Sequence, residues 1–292
     1  MATVTPYNVY AGAAALANGV IWRNLGPLIN FTRPLANVWW VDSTIGSDSN
    51  SYGSSRGNYP HRPFATVAHA IAAAVANNGD LILVGPNHKE NIIAAGGWTI
   101  PAGVQIIGYQ AKDGDRPQIT FKTATTASIL MSGANSSISG IIGICGIASL
   151  ANPVNITAAN CSVDMEWRDA GTGVDALRAI LTSAGATGTN INLKYVGTSG
   201  SAVTLNAIRL VGSANNRVNI DFFGTANTAV VEFLTTAATN TYVTGTSNNS
   251  LSSTTNAKIV VDTVTGSHYA VNLFDLSSGA SGAGKFTMQL TA

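Results

Sequence analysis

The chain has 292 residues, of which 46% are hydrophobic and only 10% charged. That length suits one large solenoid or two domains, and the charged share lies far below the usual quarter. A formal net charge of +1 excludes the broad electrostatic field that nucleic-acid or membrane-surface binding would use, so neither is expected as a partner.

The polar remainder is Ser, Thr, Asn and Gly, which suits strands joined by turns. Cys145 and Cys161 are too few for a disulfide framework and are expected as buried thiols that behave as small apolar residues. The N-terminus lacks the basic start and apolar run of a secretory signal, and no stretch reaches membrane-spanning length. The protein is therefore expected to be made in a cytoplasm and not exported by that route.

Residues 1–37 show no repeat. They hold Trp22, Leu25, Leu28, Ile29 and Phe31, broken by Gly26-Pro27 and Arg33-Pro34, and their charges are Arg23 and Arg33. An apolar arm of this kind covers an open end of the fold or docks on a partner. Trp22, Leu25 and Phe31 are the partner-binding candidates, together with Trp39 and Trp40. Neighbours on a strand face opposite sides, so at most one of these last two lies in the core. The other packs under the Tyr52–His61 loop, binds a sugar ring or sits in an interface. Residues 43–62, rich in Ser, Gly and Asn, read as a surface loop.

Phe64, Val67, Ile71, Ala74 and Val75 fit one face of a short helix over 64–76. Asn77-Asn78-Gly79 stops it. Short strands are expected at Leu81–Val84, Glu90–Ile93, Trp98–Ile100 and Val104–Gly108. Within this stretch, Val41-Asp42, Gly46-Ser47-Asp48, Pro63-Phe64-Ala65-Thr66-Val67, Ala70-Ile71, Gly79-Asp80-Leu81-Ile82 and Glu90-Asn91-Ile92 resemble the opening of pectin-lyase-like right-handed parallel β-helix proteins. The resemblance covers residues 38–109. It implies an all-β fold: a right-handed parallel β-helix solenoid with a short N-terminal capping helix. It implies little about activity, because that fold carries lyases, glycosidases, phage tailspikes and inert virion proteins alike.

The second half repeats. Ile129 to Ile138 aligns with Val154 to Val163, and Ile180–Ile191, Ile208–Val218 and Val231–Tyr242 follow. Each unit is a short strand, a turn of Ala, Asn, Gly and Ser, and a second strand, at about 25-residue spacing. The outward row is expected at Asn155, Asp164, Glu166, Asn192, Arg209, Asn219 and Glu232. Three segments are thus expected: an arm over 1–37, the β-helix over 38–257, and a C-terminal β closing or oligomerisation segment over 258–292.

Candidate sites are sparse. Asp164 and Glu166 lie two apart on one strand face, where a carboxylate pair serves glycoside hydrolysis. The same spacing is an ordinary solvent row, with Arg168 on that face as an ion-pair partner. Asp113-Gly-Asp115 reads as a surface turn. His61, His69, His88 and His268 are scattered without metal-ligand spacing, and His69 is expected to face solvent. Gly279–Lys285 matches a phosphate-binding loop up to the lysine, but Phe286 replaces the hydroxyl residue and no helix follows. No cofactor and no metal are expected.

Two functional expectations follow from the resemblance and from these gaps. One is a non-enzymatic phage virion protein, a homotrimer that decorates a capsid or belongs to a tail. Its partners are the major capsid protein or tail proteins, and host-surface glycans are a further candidate. The other is a polysaccharide depolymerase or lyase of tailspike type. A sugar-binding module resting on Trp39, Trp40 and Trp98 is a third.

Overall fold

The computed structural model describes residues 37–49, 57–110, 114–171, 174–197, 204–234, 239–249, 258–262, 268–275 and 288–290. Trp22, Leu25, Phe31, Asp113 and the Gly279–Lys285 loop lie outside the described residues. In chain order the elements are β1 (Val38–Val41), the helix α1 (Val67–Ala73), β2 (Leu81–Val84), β3 (Lys89–Ile92), β4 (Trp98–Ile100), β5 (Gln105–Gly108) and β6 (Gln118–Phe121). Then come β7 (Ile129–Met131), β8 (Ser137–Cys145), β9 (Val154–Ile156), β10 (Ser162–Asp169), β11 (Ile180–Thr182), β12 (Asn190–Val196) and β13 (Thr204–Leu210). Last are β14 (Arg217–Gly224), β15 (Ala226–Phe233), β16 (Thr239–Asn249), β17 (Lys258–Asp262), β18 (His268–Asp275) and β19 (Met288–Leu290).

These strands wind into a parallel β-solenoid, as the repeat predicts. One sheet of 11 strands follows β1-β2-β5-β8-β10-β12-β14-β16-β18, with β6 also beside β8 and β3 beside β6. The other sheet, of 8 strands, runs from β4 through β7, β9, β11, β13, β15 and β17 to β19. The strands expected within 258–292 are present and continue both sheets at the C-terminal end.

Alternation of side chains along each strand creates the core. In the larger sheet Ile82, Ile106, Ile138, Val163, Ile191, Val218 and Val243 stand in one inward column, each paired with the next. In the smaller sheet Trp98, Ile129, Val154, Ile180, Ile208, Val231 and Val260 do the same. β-Branched residues dominate both columns because they pack well on a pleated surface.

The turns are in register too. Asn77, Gly103, Asn135, Asn160, Gly188, Asn215 and Asn240 all have positive φ, between 50° and 73°, the left-handed region that Asn and Gly tolerate. The amides of the first six are each bonded to the next coil. Gly103 N donates to Ala134 O at 2.9 Å, Asn135 N to Ala159 O at 3.0 Å and Asn160 N to Thr187 O at 2.7 Å. Two of the Asn pairs also bond through their side chains, 25 residues apart in each case.

The helix is shorter than expected. Thr66 caps it, its hydroxyl accepting from His69 N at 3.2 Å. Asp48 in turn accepts from Ala65 N and Thr66 Oγ1, both at 2.7 Å. α1 buries Val67, Ala70 and Ile71. Val75 lies past the C-cap and is 54% exposed, and Phe64 precedes the helix as extended chain bridged to Val41. His69, expected to face solvent, does so only in part. It is half-buried, with its ring tilted against Phe64 at 4.7 Å.

Rung packing makes one glycine irreplaceable. Gly245 of β16 has φ +129°, and a Cβ there would sit 1.8 Å from Ile220 O on the preceding coil. Gly245→Ala is expected to lower the unfolding free energy by about 2–4 kcal/mol through strain and lost rung contacts. Urea unfolding followed by circular dichroism measures this; an unchanged midpoint would contradict the rung geometry.

Candidate functional site

The face with the most chemistry is the outward side of the larger sheet around β10. Asp164 and Glu166 both point outward there, as their spacing predicts, but their surroundings differ. Asp164 is exposed, and its Oδ1 accepts from Asn192 Nδ2 at 2.8 Å. Asn192 Oδ1 accepts from Asn219 Nδ2 at 2.9 Å, and Asn219 Oδ1 from the Thr244 hydroxyl at 3.1 Å. A polar ladder therefore runs along the solenoid, one side chain per coil.

Glu166 is buried under three cations. Arg168 Nε donates to its Oε1 at 2.5 Å, Arg116 pairs with Oε2, and Lys194 Nζ lies 3.5 Å from Oε2. Burial opposes its ionisation. The hydrogen bond from Arg168 and the charges of Arg116, Arg168 and Lys194 outweigh that and hold the carboxyl below its ordinary value. Glycoside hydrolysis requires one carboxyl kept protonated near neutral pH; Glu166 is held the opposite way.

The smaller sheet carries a second knot of polar groups. Glu232 is buried and accepts from Arg209 Nε and Asn206 Nδ2, both at 2.6 Å. Arg178 Nη1 donates to Asn152 Oδ1 at 3.3 Å. Burial and the charge of Arg209 both work against the ionised form of Arg178, and Glu232 favours it. Arg178 Nε and Asn206 Oδ1 are buried without a hydrogen-bond partner. Arg209 and Glu232 are in the outward row as expected. Sequence reasoning did not single out Arg178 or Asn206, whose only signal was their place one coil below Arg209 and Glu232.

The residues that carry the family resemblance turn out to fasten the helix and first coils. Asp80 is fully buried and accepts from Asn37 Nδ2, Trp39 Nε1, Val75 N and Asn78 Nδ2 at 2.8–3.2 Å. Glu90 accepts from Val67 N at 2.6 Å, Ala68 N at 3.3 Å and Trp98 Nε1 at 3.0 Å. His88, also fully buried, accepts from Ser43 N at its Nδ1, so the neutral ring donates from Nε2 to Glu90 at 3.1 Å. Trp98 is 1% exposed, which removes it from any sugar-binding surface. Trp39 turns inward and stacks on Phe64 at 5.7 Å. Trp40 turns outward, half-buried beside Leu83.

Two interior groups complete the picture. Cys145 and Cys161 are buried, and burial pushes the Cys145 thiol up to about 12, so it stays protonated and unreactive. Asp169 points into the coil, where Trp167 Nε1 and the Tyr195 hydroxyl donate to it at 3.1 Å and 2.6 Å. Asp115, expected in a surface turn, is 3% exposed. Among the described residues no group of three or more His, Cys, Asp or Glu is placed to hold a metal ion, and no helix is long and apolar enough to cross a membrane.

Comparison with protein-family models, with curated proteins and with solved structures found no significant match. The parallel β-solenoid architecture agrees with the β-helix expectation.

Two predictions follow from these carboxylates. Glu166→Ala leaves three cations facing one another and is expected to cost about 1–3 kcal/mol, below the range for a fully buried pair because its partners are partly solvated. Asp164→Ala should cost less, since Asp164 is exposed. Equal losses in urea unfolding would contradict the burial difference. For Asp169, burial raises the carboxyl from 3.8 to about 6, against the hydrogen bonds from Tyr195 and Trp167. The folded state therefore holds this proton more tightly than the unfolded chain. The stability so gained is complete below pH 3.8 and is lost as the pH rises through about 6. Asp169→Asn should gain about 2 kcal/mol on the wild type between pH 4 and pH 8; parallel stability curves would refute the assignment.

Proposed function

We propose that the chain is a non-enzymatic structural protein of a phage virion, a capsid decoration protein in the first place and a tail or fibre component in the second. It assembles as a homotrimer on the major capsid protein or on tail proteins, and its ladder face adheres to host-surface glycans. Kinship with pectin-lyase-like β-helix proteins belongs to the same reading.

One observation carries it. The outward carboxylates are spent on the scaffold itself: Glu166 on Arg116, Arg168 and Lys194, Glu232 on Arg209 and Asn206. Such groups stiffen a surface and leave it chemically quiet. The low charge of the chain and its outward Asn and Thr residues suit a solvated exterior that presents rather than reacts.

A rebinding experiment tests the reading. The protein is expected to sediment as a trimer, to return to regular sites on particles stripped of it, and to leave host polysaccharide at its original length. A soluble species that ignores particles and shortens polysaccharide would overturn the proposal in favour of the depolymerase. In that case activity should fall with Asp164→Ala or Glu166→Ala while circular dichroism stays the same.

A further inference from the structure

The outward face of the larger sheet holds a row of a different kind beside the amide ladder. From β6 to β16, one residue per coil, it reads Thr120, Ile144, Arg168, Val196, Phe223 and Asn248. Arg168 is the one charge in it. Phe223 is 52% exposed, although the outward residues before it on β14 are Arg217, Asn219 and Asp221. A lone exposed Phe is ordinary on a surface. This one stands two coils from Arg168, about 10 Å away at the strand spacing, with Val196 between them.

Arg168 belongs to a group with more positive charge than the scaffold uses. Arg116, Arg168 and Lys194 share Glu166, three positive charges against one negative. Arg168 gives its Nε to Glu166 and is 45% exposed, while Lys194 comes no nearer than 3.5 Å and is 57% exposed. A guanidinium has five N–H donors and an ammonium three, so one carboxylate leaves most of this capacity unused. Asp164 and Asp221, the exposed acids beside the group, are engaged with their own neighbours. Their Oδ1 atoms accept from Asn192 Nδ2 and from the Thr246 hydroxyl, and neither acid lies in the Arg168 row.

We propose that this row is a binding subsite for an acidic sugar of a polysaccharide. The sugar's carboxylate pairs with Arg168 and Lys194, and the apolar side of its ring rests on Val196 and Phe223. The inference rests on the glycan-adhesive part of the reading above and names the class of glycan. Two features select a sugar over an acidic peptide. The backbone groups of the sheet are bonded from coil to coil, so the main chain of a peptide finds no partner on this face. The ladder in the next row offers side-chain amides and a hydroxyl at Asn192, Asn219 and Thr244, each with hydrogen-bonding capacity left over for sugar hydroxyls. Apolar contact with a few placed polar groups is the usual make-up of a small-molecule site, and the planar guanidinium matches a carboxylate.

Affinity electrophoresis of the full chain tests it, in gels that hold either alginate, a chain of uronic acids, or dextran, a neutral chain. The protein is expected to be retarded by alginate and not by dextran. Arg168→Gln should weaken alginate binding about tenfold, as loss of a charge-assisted hydrogen bond does. Phe223→Ala should weaken it about fivefold, the worth of newly covering a half-exposed ring, with the circular dichroism unchanged. Arg217→Gln, which removes an equal charge from the same face outside the row, should leave binding as it was. Equal losses in Arg168→Gln and Arg217→Gln would make the attraction nonspecific and overturn the subsite. Full binding by Phe223→Ala would overturn the sugar and leave only an anion. Equal retardation by dextran would overturn the acidic class while the glycan-adhesive reading stands. Retardation by neither polysaccharide would overturn both, and the virion role would then rest on rebinding to particles alone.

Discussion

Each coil is held to the next by parallel backbone hydrogen bonds, and those bonds force position after position to repeat along the solenoid. A turn that is left-handed on one coil has to be left-handed on its neighbours, or the amide that bonds upward loses its acceptor. Asn77, Gly103, Asn135, Asn160, Gly188, Asn215 and Asn240 meet this demand in a single column. A β-branched residue at any of them would face a penalty of about 1–2 kcal/mol for that conformation. The Asn and Gly content of the chain is therefore a consequence of coil stacking.

The same stacking governs charge. Side chains in one outward column sit about 4.8 Å apart, close enough for like charges to repel. The column through β10, β12, β14 and β16 answers with alternating sign and then a hydroxyl: Glu166, Lys194, Asp221 and Thr246. Arg209 and Glu232 alternate in the smaller sheet. Beside them the Asp164–Asn192–Asn219–Thr244 ladder uses amides, which donate on one side and accept on the other and so tile without repulsion.

Much of this was legible in the residues. The unit that aligns Ile129–Ile138 with Val154–Val163 already contains the inward column and the Asn turn, because both depend on local order repeated at fixed spacing. Asp164 and Glu166 could be placed on one face by parity alone. The burial of Glu166 could not: its partner Arg116 lies 50 residues away and meets it only because β6 and β10 both flank β8. His88 was passed over for a related reason, since it is interior only because the Ser43 amide is brought to its ring from another part of the chain. The helix was read too long because Phe64 and Val75 share its periodicity but lie outside its caps.

The fastening of α1 sets an order of events. Its seven residues are too few to persist alone in water. Asp48 can prepare the N-cap early, but the carboxylate that grips Val67 N belongs to Glu90, and Glu90 is itself positioned by His88 and Trp98. The lid is thus latched by the coil it covers. During synthesis the helix has to wait until the chain through Trp98 has emerged, so closure of this end marks completion of the first full turn rather than its beginning.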